Sequence, residues 1–505
     1  MAAHYKTAPE DIVPFGQKMA FGAGNLVNNL LPGALGIFMF FLVTAFGMDP
    51  FLAGLLGGLP RIFDAITDPI MGYISDNTKS RFGRRRPYIF VGAILSGILF
   101  AILWQLNPEN TVMYNFWYFL ILSLVYLLGN TIFSAPLIGL GYEMTSDYDE
   151  RTRLMGFSQI VGQVAWMLVP WFWVIIASPD ILPLGAEEIS RIAELGLSSE
   201  ETSKLTTEVL QANGVRKFSI VVGAICITLG ILPALFCKGI TPGSMENQAK
   251  ITFGSLFTNL KDLFRGIVLM FKNKPFVRLC GATFLVFNGF QMVASFSYFI
   301  IVFYMFNGDY VLTGNWPAWF STISAVITAF LVIPVITKMA TKLGKRRAFI
   351  ISTAISMVGY ALKWWGFSPE NPWLMFIPLP LMAFGIGGLF TLMMSMTADV
   401  CDLDELDNGM PRKEGTFGAI YWWMVKLGQA IALILGGAVL SWVGFEPSAV
   451  TQTAETMTNI RIADISIPVL TAGLAIWVMW KYNLSEEKVH EIKDVLVKRR
   501  GELKS

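Results

Sequence analysis

The chain has 505 residues, of which 54% are hydrophobic and only 15% charged, with a formal net charge of +2. So apolar a composition excludes an ordinary soluble enzyme, and so small a charge without basic stripes excludes a nucleic-acid binder. Two histidines and four scattered cysteines (Cys226, Cys237, Cys280 and Cys401) offer neither a metal-ligand cluster nor a disulfide framework. The expectation is an all-α membrane protein whose cysteines are small buried hydrophobes.

Residues 1–18 hold Glu10, Asp11 and Pro14 and no apolar core, so no cleavable signal peptide is expected. Apolar stretches of spanning length then follow at 22–46, 51–75, 88–106, 114–140, 154–177 and 216–237. Beyond a polar stretch come 276–305, 316–338, 348–367, 373–398, 416–442 and 464–482, which predicts twelve transmembrane helices. The first is expected to break near Pro32-Gly33 and carries Asn25, Asn28 and Asn29.

The second span contains Arg61–Met71, RIFDAITDPIM, which places Asp64 and Asp68 one i, i+4 step apart on one helical face. An ionised carboxylate at membrane depth costs about 2.5–3.5 kcal/mol on insertion scales and needs a partner or a water-filled cavity. Arg61 at i, i+3 could neutralise Asp64 alone, which is the bland reading. It can offset only one of the two acids, so the pair points to a coupling-ion site.

Further along, Gln159 and Gln163 are i, i+4 neighbours in the fifth span, Asn288 and Gln291 lie in the seventh, and Lys426 and Gln429 are i, i+3 neighbours in the eleventh. Such side chains avoid lipid and gather in the bundle interior, where they either bond neighbouring helices or line a polar cavity. Trp166, Tyr421 and Trp422 could stack on the apolar face of a sugar. A mid-helix ammonium is too costly for helix bonding alone, so Lys426 reads as a cavity residue. Lys363, beside Trp364-Trp365 at the end of the ninth span, reads as an interfacial anchor that snorkels.

Segments between spans are equally informative. Residues 178–215 show helical spacing of apolar residues and a cap-like Ser198-Ser199-Glu200-Glu201, predicting one or two short surface helices. The stretch 238–275 is the expected seam, and its amphipathic part, 253–271, is expected to lie along the membrane surface. Arg81–Arg86 (RFGRRR) after the second span repeats as Lys342–Arg347 (KLGKRR) after the eighth. Acidic runs likewise follow the fourth span (Glu143, Asp147, Asp149 and Glu150, with Arg151) and the tenth (Asp399, Asp402, Asp404 and Glu405). Repeated chemistry predicts two pseudo-symmetric six-helix bundles, 1–237 and 276–482, joined by 238–275 and followed by a short charged tail, 483–505. Arg84, Glu143, Arg151 and Asp399 are the candidate gating residues; lipid anchoring is the competing role of the arginines.

With the N-terminus inside, 30 of the 38 Lys and Arg fall on the inner side and five on the outer side. That asymmetry predicts both termini in the cytoplasm.

Three stretches carry a resemblance: 61–87 (RIFDAITDPIMGYISDNTKSRFGRRRP), 398–418 (ADVCDLDELDNGMPRKEGTFG) and 271–279 (FKNKPFVRL). With them the chain resembles the glycoside–pentoside–hexuronide:cation symporters of the major facilitator superfamily, which include the melibiose permeases. The resemblance implies the MFS fold and a cation site at Asp64 and Asp68, helped by Thr67 and Thr131. Melibiose permeases have asparagine where this chain has Thr67, which leaves sodium and proton coupling both open. Their sugar site uses an aspartate on the first helix, an aspartate on the fourth and an arginine on the fifth. The matching positions here are Asn29, Ser134 and Gln159, beside Asn28 and Gln163, while a family lysine is matched by Lys426. The loss of acids tilts the expected cargo toward an anionic glycoside such as a uronide or a sulfonated sugar.

The expectation is therefore a monomeric carrier in a bacterial inner membrane, surrounded by lipid, moving a glycoside by alternating access. It uses no cofactor beyond a coupling cation, Na+ or H+, and has no nucleic-acid partner. No nucleophile–base–orienter set or phosphate loop marks an enzyme. A lysolipid carrier of the same superfamily and a transport-incompetent nutrient receptor are the alternatives.

Overall fold

The computed structural model describes residues 12–78, 80–145, 148–239, 272–408, 414–447, 449, 451–484, 487–489, 491–492 and 495–496. The amphipathic segment 253–271 and Asp147 lie outside them, and the side chains of Asp149 and Arg151 are likewise outside the description. Among the described residues there are helices and no strands.

Eleven helices among the described residues are long and apolar enough to cross a membrane. The second span, Pro50–Asn77, has 28 residues, about 42 Å at 1.5 Å per residue. It falls short in hydropathy because it carries Arg61, Asp64, Asp68 and Asp76. Counted with the others it completes the all-α arrangement of twelve spans.

The chain divides into two compact units, Met1–Thr258 and Asn259–Ser505. Within the first, span one (Phe15–Thr44) packs on span five (Tyr148–Leu168) and span six (Ser199–Gly230). Span three (Arg86–Leu103) packs on span four (Val112–Glu143) and span six, and span two packs on span four. Within the second, span seven (Lys274–Phe299) packs on span eleven (Glu414–Trp442) and span twelve (Ala454–Trp480). Span nine (Lys345–Gly366) packs on span ten (Leu379–Asn408) and span twelve, and the eighth span's last segment (Ile333–Leu343) packs on spans nine and ten. The same partner scheme thus recurs in each unit, as the repeated turns require.

Two expectations about helix continuity are corrected. Span one is unbroken, with Pro32 inside it. Neighbouring helices can satisfy what a proline removes, and Gly33 lets Val169 approach so closely that an added Cβ would sit 3.0 Å from its Cγ2. Span six starts much earlier than the apolar run does. Ser198 caps it reciprocally with Glu201: Glu201 N–H donates to Ser198 Oγ at 3.3 Å, and Ser198 N–H donates to Glu201 Oε2 at 3.0 Å. The helix then continues through Gly214, where an added Cβ would stand 2.5 Å from the Ile176 carbonyl oxygen. What resembled a short surface helix is the polar first half of a spanning one; a separate short helix, Ala186–Glu194, precedes it.

The basic turns depend on glycine. Gly83 and Gly344, at equivalent positions, have φ of 92° and 79°, a region that side chains with a Cβ avoid. Arg86 Nε donates to the Ala234 carbonyl at 2.6 Å, and Arg346 Nη2 donates to the Trp480 carbonyl at 2.5 Å. Each basic turn therefore caps orphan carbonyls at the end of its own unit's last span. The tail does more than the expected charged helix: Leu484, Val489, Ile492 and Leu496 are buried in the second unit's core.

Glu150 fastens the N-terminal segment to the fifth span. The Val13 amide donates to it at 3.1 Å, and Lys18 Nζ lies 2.6 Å from it. Burial by itself raises a carboxyl's pKa, but bonds from Lys18 and Val13 and the charges of Lys18 and Arg153 outweigh it and hold Glu150 below the ordinary range. A depressed carboxyl contributes stability above its unfolded value, about 4.3, and loses it as pH falls through the lower folded value. The protection factor of the Val13 amide, its exchange rate corrected for the intrinsic pH dependence, should therefore be high at pH 7 and fall below about pH 4.3; Glu150→Gln should remove that fall.

Spans three and four touch through Gly92, where an added Cβ would stand 2.4 Å from the Phe133 backbone nitrogen. Gly92→Ala should cost about 1–3 kcal/mol, read as a lowered thermal midpoint in detergent.

Candidate functional site

The two helix-two carboxylates meet span four at one residue. Thr131 Oγ1 lies 2.9 Å from Asp64 Oδ1 and 3.1 Å from Asp68 Oδ1. Thr67 Oγ1 is 3.3 Å from the Thr131 hydroxyl and donates to the Asp64 backbone carbonyl at 3.2 Å. Asp64, Thr67 and Thr131 are buried and Asp68 is partly so. Arg61, one turn before, also acts on Asp64 electrostatically.

A hydroxyl has one hydrogen and donates to one acceptor at a time. When Thr131 donates to one carboxylate, the other oxygen faces its lone pairs. That contact is favourable only if the second carboxylate carries a proton or a small cation sits between them. Two carboxylates and two hydroxyls form a hard, oxygen-only donor set, suited to Na+ or H+ rather than a soft metal. Among the described residues no group of three or more His, Cys, Asp and Glu forms a conventional metal site.

The polar residues expected around a cargo divide between the two units. In the first, Gln159, Gln163 and Trp166 lie on one exposed stripe of span five. Trp166 Nε1 donates to Asn29 Oδ1 at 3.0 Å, and Asn29 Nδ2 donates to the Asn25 carbonyl at 2.8 Å. Asn25 in turn donates to the Ser158 carbonyl at 2.8 Å. Asn25 and Asn29 thus bond helices together and hold the Trp166 indole in place, while the two glutamines stay available. Asn28 and Ser134 are half-buried.

In the second unit, Trp422 is exposed and stacks on Phe390 at 6.3 Å, while Lys426 one turn on is half-buried. Tyr421 is fully buried in that unit's core, so its ring offers no face to a ligand in this structure. Asn288 bonds the Gly428 carbonyl at 3.2 Å and joins spans seven and eleven.

The gating candidates form equivalent pairs at equivalent places. Arg84 Nε donates to Glu143 Oε1 at 2.5 Å, and Arg85 Nε lies 3.1 Å from the same oxygen. In the second unit Lys345 Nζ lies 2.5 Å from Asp399 Oδ2. Each ties the turn between two spans to the end of a third within its unit.

Lys363 requires a correction. It does not snorkel: it is 2% exposed and paired with Asp464, itself 2% exposed. Lys363 Nζ also donates to Ser297 Oγ at 3.3 Å and lies 4.7 Å from the Phe367 ring centroid. Arg461 stands over the Tyr304 and Trp364 rings at 4.1 and 4.3 Å. Sequence reasoning missed Asp464 because the twelfth span was started there; the helix begins at Ala454. An acid ten residues into the helix that begins at Ala454 was the signal available.

Residues 20–486 match the family model described as MFS/sugar transport protein. The chain is 25% identical to a glucuronide carrier protein homolog of Escherichia coli, over 94% of this chain and 93% of that one. It is 23% identical to sodium-dependent lysophosphatidylcholine symporter 1 of Xenopus tropicalis, over 95% of this chain and 89% of that one. A crystal structure of a D-xylose–proton symporter shares the fold, with a TM-score of 0.57 at 16% identity, covering 93% of this chain and 97% of that one. The match over most of the chain, the repeated helical units and the solved relative agree, and the chain belongs to the MFS/sugar transport protein family.

Proposed function

We propose that this chain is a cation-coupled symporter of a glycoside, driven by Na+ or H+ held at Asp64 and Asp68 with Thr67 and Thr131. The carrying observation is the single Thr131 hydroxyl within hydrogen-bond distance of both carboxylates. Oxygen atoms from two helices converge there, as a small hard cation or a shared proton requires. Sodium and protons both suit this donor set.

Within the first unit Gln159, Gln163 and Trp166 are the candidate cargo contacts; within the second, taken by itself, they are Trp422 and Lys426. Amides both donate to and accept from sugar hydroxyls, and indoles stack on sugar faces. Lys426 and the absence of acids at positions 29 and 134 favour an anionic glycoside, a uronide or a sulfonated sugar. The identity with the glucuronide carrier homolog supports this reading. The comparable identity with a lysophosphatidylcholine symporter supports a lysolipid as the second reading. Asn28, Asn29 and Ser134 would then shape the cavity rather than bind the cargo. The excess of Lys and Arg on one side supports an orientation with both termini in the cytoplasm, in a bacterial inner membrane. Arg84–Glu143 and Lys345–Asp399 would each hold together the inner ends of the helices of its own unit.

The test is uptake into proteoliposomes of neutral glycosides, anionic glycosides and lysolipid, with sodium and proton gradients imposed separately. Accumulation of an anionic glycoside under one gradient is expected; accumulation of lysolipid alone would replace the first reading with the second. Asp64→Asn and Asp68→Asn should each abolish accumulation, and active uptake surviving in both would refute the coupling site. Thr131→Val should weaken cation affinity about ten- to a hundredfold, since a hydrogen bond to a charged group contributes about 1.5–3 kcal/mol. Unchanged cation affinity would remove Thr131 from the site.

A further inference from the structure

Span nine carries a lysine near each end. Lys345 in its first turn pairs with Asp399 of span ten, and Lys363 in its last turn pairs with Asp464 of span twelve. The first belongs to the repeated basic turn. The second has no counterpart in the first unit, where the matching end of span three is held by neutral groups: Gln105 Nε2 donates to the Arg216 carbonyl at 3.2 Å. A buried ion pair is a costly way to join two helices, often no better than apolar packing, and its best-attested use is to specify one of two states.

The atoms around Asp464 show what the second state is. One of its oxygens faces Lys363; the other, Oδ1, is buried with no hydrogen-bond partner. One turn earlier on the same helix, Arg461 Nε is a buried donor that also has no partner. An unsatisfied buried acceptor and an unsatisfied buried donor, each costing about 1–3 kcal/mol, lie at i, i+3 spacing, which brings side chains together. The charged and titratable groups facing Asp464 are Lys363 and Tyr360 of span nine and Arg461 of span twelve itself. Arg461 also donates to Tyr304 Oη, in the turn that extends span seven, at 2.7 Å, and to the Trp364 carbonyl at the end of span nine.

We propose that Asp464 is a two-position latch at the end of the second unit opposite the Lys345–Asp399 pair. In the position seen, it ties span twelve to span nine through Lys363. In the other, it turns back to Arg461, both orphaned atoms are satisfied within one helix, and span nine loses its tie to Asp464. The exchange moves no proton but passes the counter-charge from Lys363 to Arg461, so the freed ammonium must be met by water admitted as this end opens. It allows this end of the unit to loosen while the Lys345–Asp399 end stays tied, as alternating access requires. It holds whatever the transported solute is.

The test reads opening at Ser297, which is 3% exposed and bonded to Lys363. Ser297→Cys in the full chain places a thiol there, and all four native cysteines are buried. Its alkylation by N-ethylmaleimide in nanodiscs then reports the open population. Asp464→Asn should raise the rate at least about threefold by cutting the tie; Lys363→Gln should do the same and serves if the first variant fails to fold. Arg461→Gln should lower the rate at least about threefold, because it removes the alternative partner and leaves the Lys363–Asp464 tie intact, while an amide still has N–H groups to offer the Trp364 carbonyl that Arg461 now holds. Opposite signs for Asp464→Asn and Arg461→Gln are the expected result. A rate unchanged or raised by Arg461→Gln would overturn the latch, and so would rates unaffected by both Asp464→Asn and Lys363→Gln.

Discussion

An ionised side chain at membrane depth must find a counter-charge, a hydrogen bond or an ion, and this constraint organises the whole molecule. Several charged groups along the spans meet a particular neighbour on another helix of their own unit. At the ends with basic turns, Arg84 and Arg85 meet Glu143, and Lys345 meets Asp399. Deeper in the second unit Lys363 meets Asp464. In the first unit Asp64 and Asp68 meet one threonine hydroxyl between them. That last arrangement differs from the rest in bringing two acids to one hydroxyl, which is why the proposed coupling ion is placed there.

The two units answer the constraint with the same plan and different chemistry. Both place a glycine with positive φ before the basic turn, and both use that turn to cap their last span. Beyond the turns they diverge. The first unit holds the carboxylate pair, and its span-three end is fastened by a glutamine. The second has no such pair, and its span-nine end is fastened by an ion pair instead. On the proposed reading, the first unit holds the cation and the second holds a tie that can be made and broken. A carrier that couples an ion to a change of access needs both.

Much of this was legible in the residues. The Asp64–Asp68 spacing, the repeated RFGRRR and KLGKRR turns and the Ser198–Glu201 cap are local patterns with direct physical readings, and each appears in the structure where its spacing places it. What was not legible depends on contacts between distant residues. Lys363 beside two tryptophans reads as an interfacial anchor until Asp464, a hundred residues on, is found against it. Tyr421 reads as a sugar platform until packing around spans seven and ten buries it. Pro32 reads as a break until Val169 is seen supporting the helix beside it. Span six appears to start at its apolar run because hydropathy is blind to a polar helix that is capped and packed.

The central claim is that Asp64 and Asp68 hold one exchangeable cation. The most direct measurement is ion binding to the purified chain in detergent, titrating Na+ and, separately, shifting pH while counting protons bound or released. The account predicts one ion site per chain, Na+ or H+, saturable and lost in Asp64→Asn/Asp68→Asn. Binding of the same stoichiometry and affinity in that double variant would contradict it.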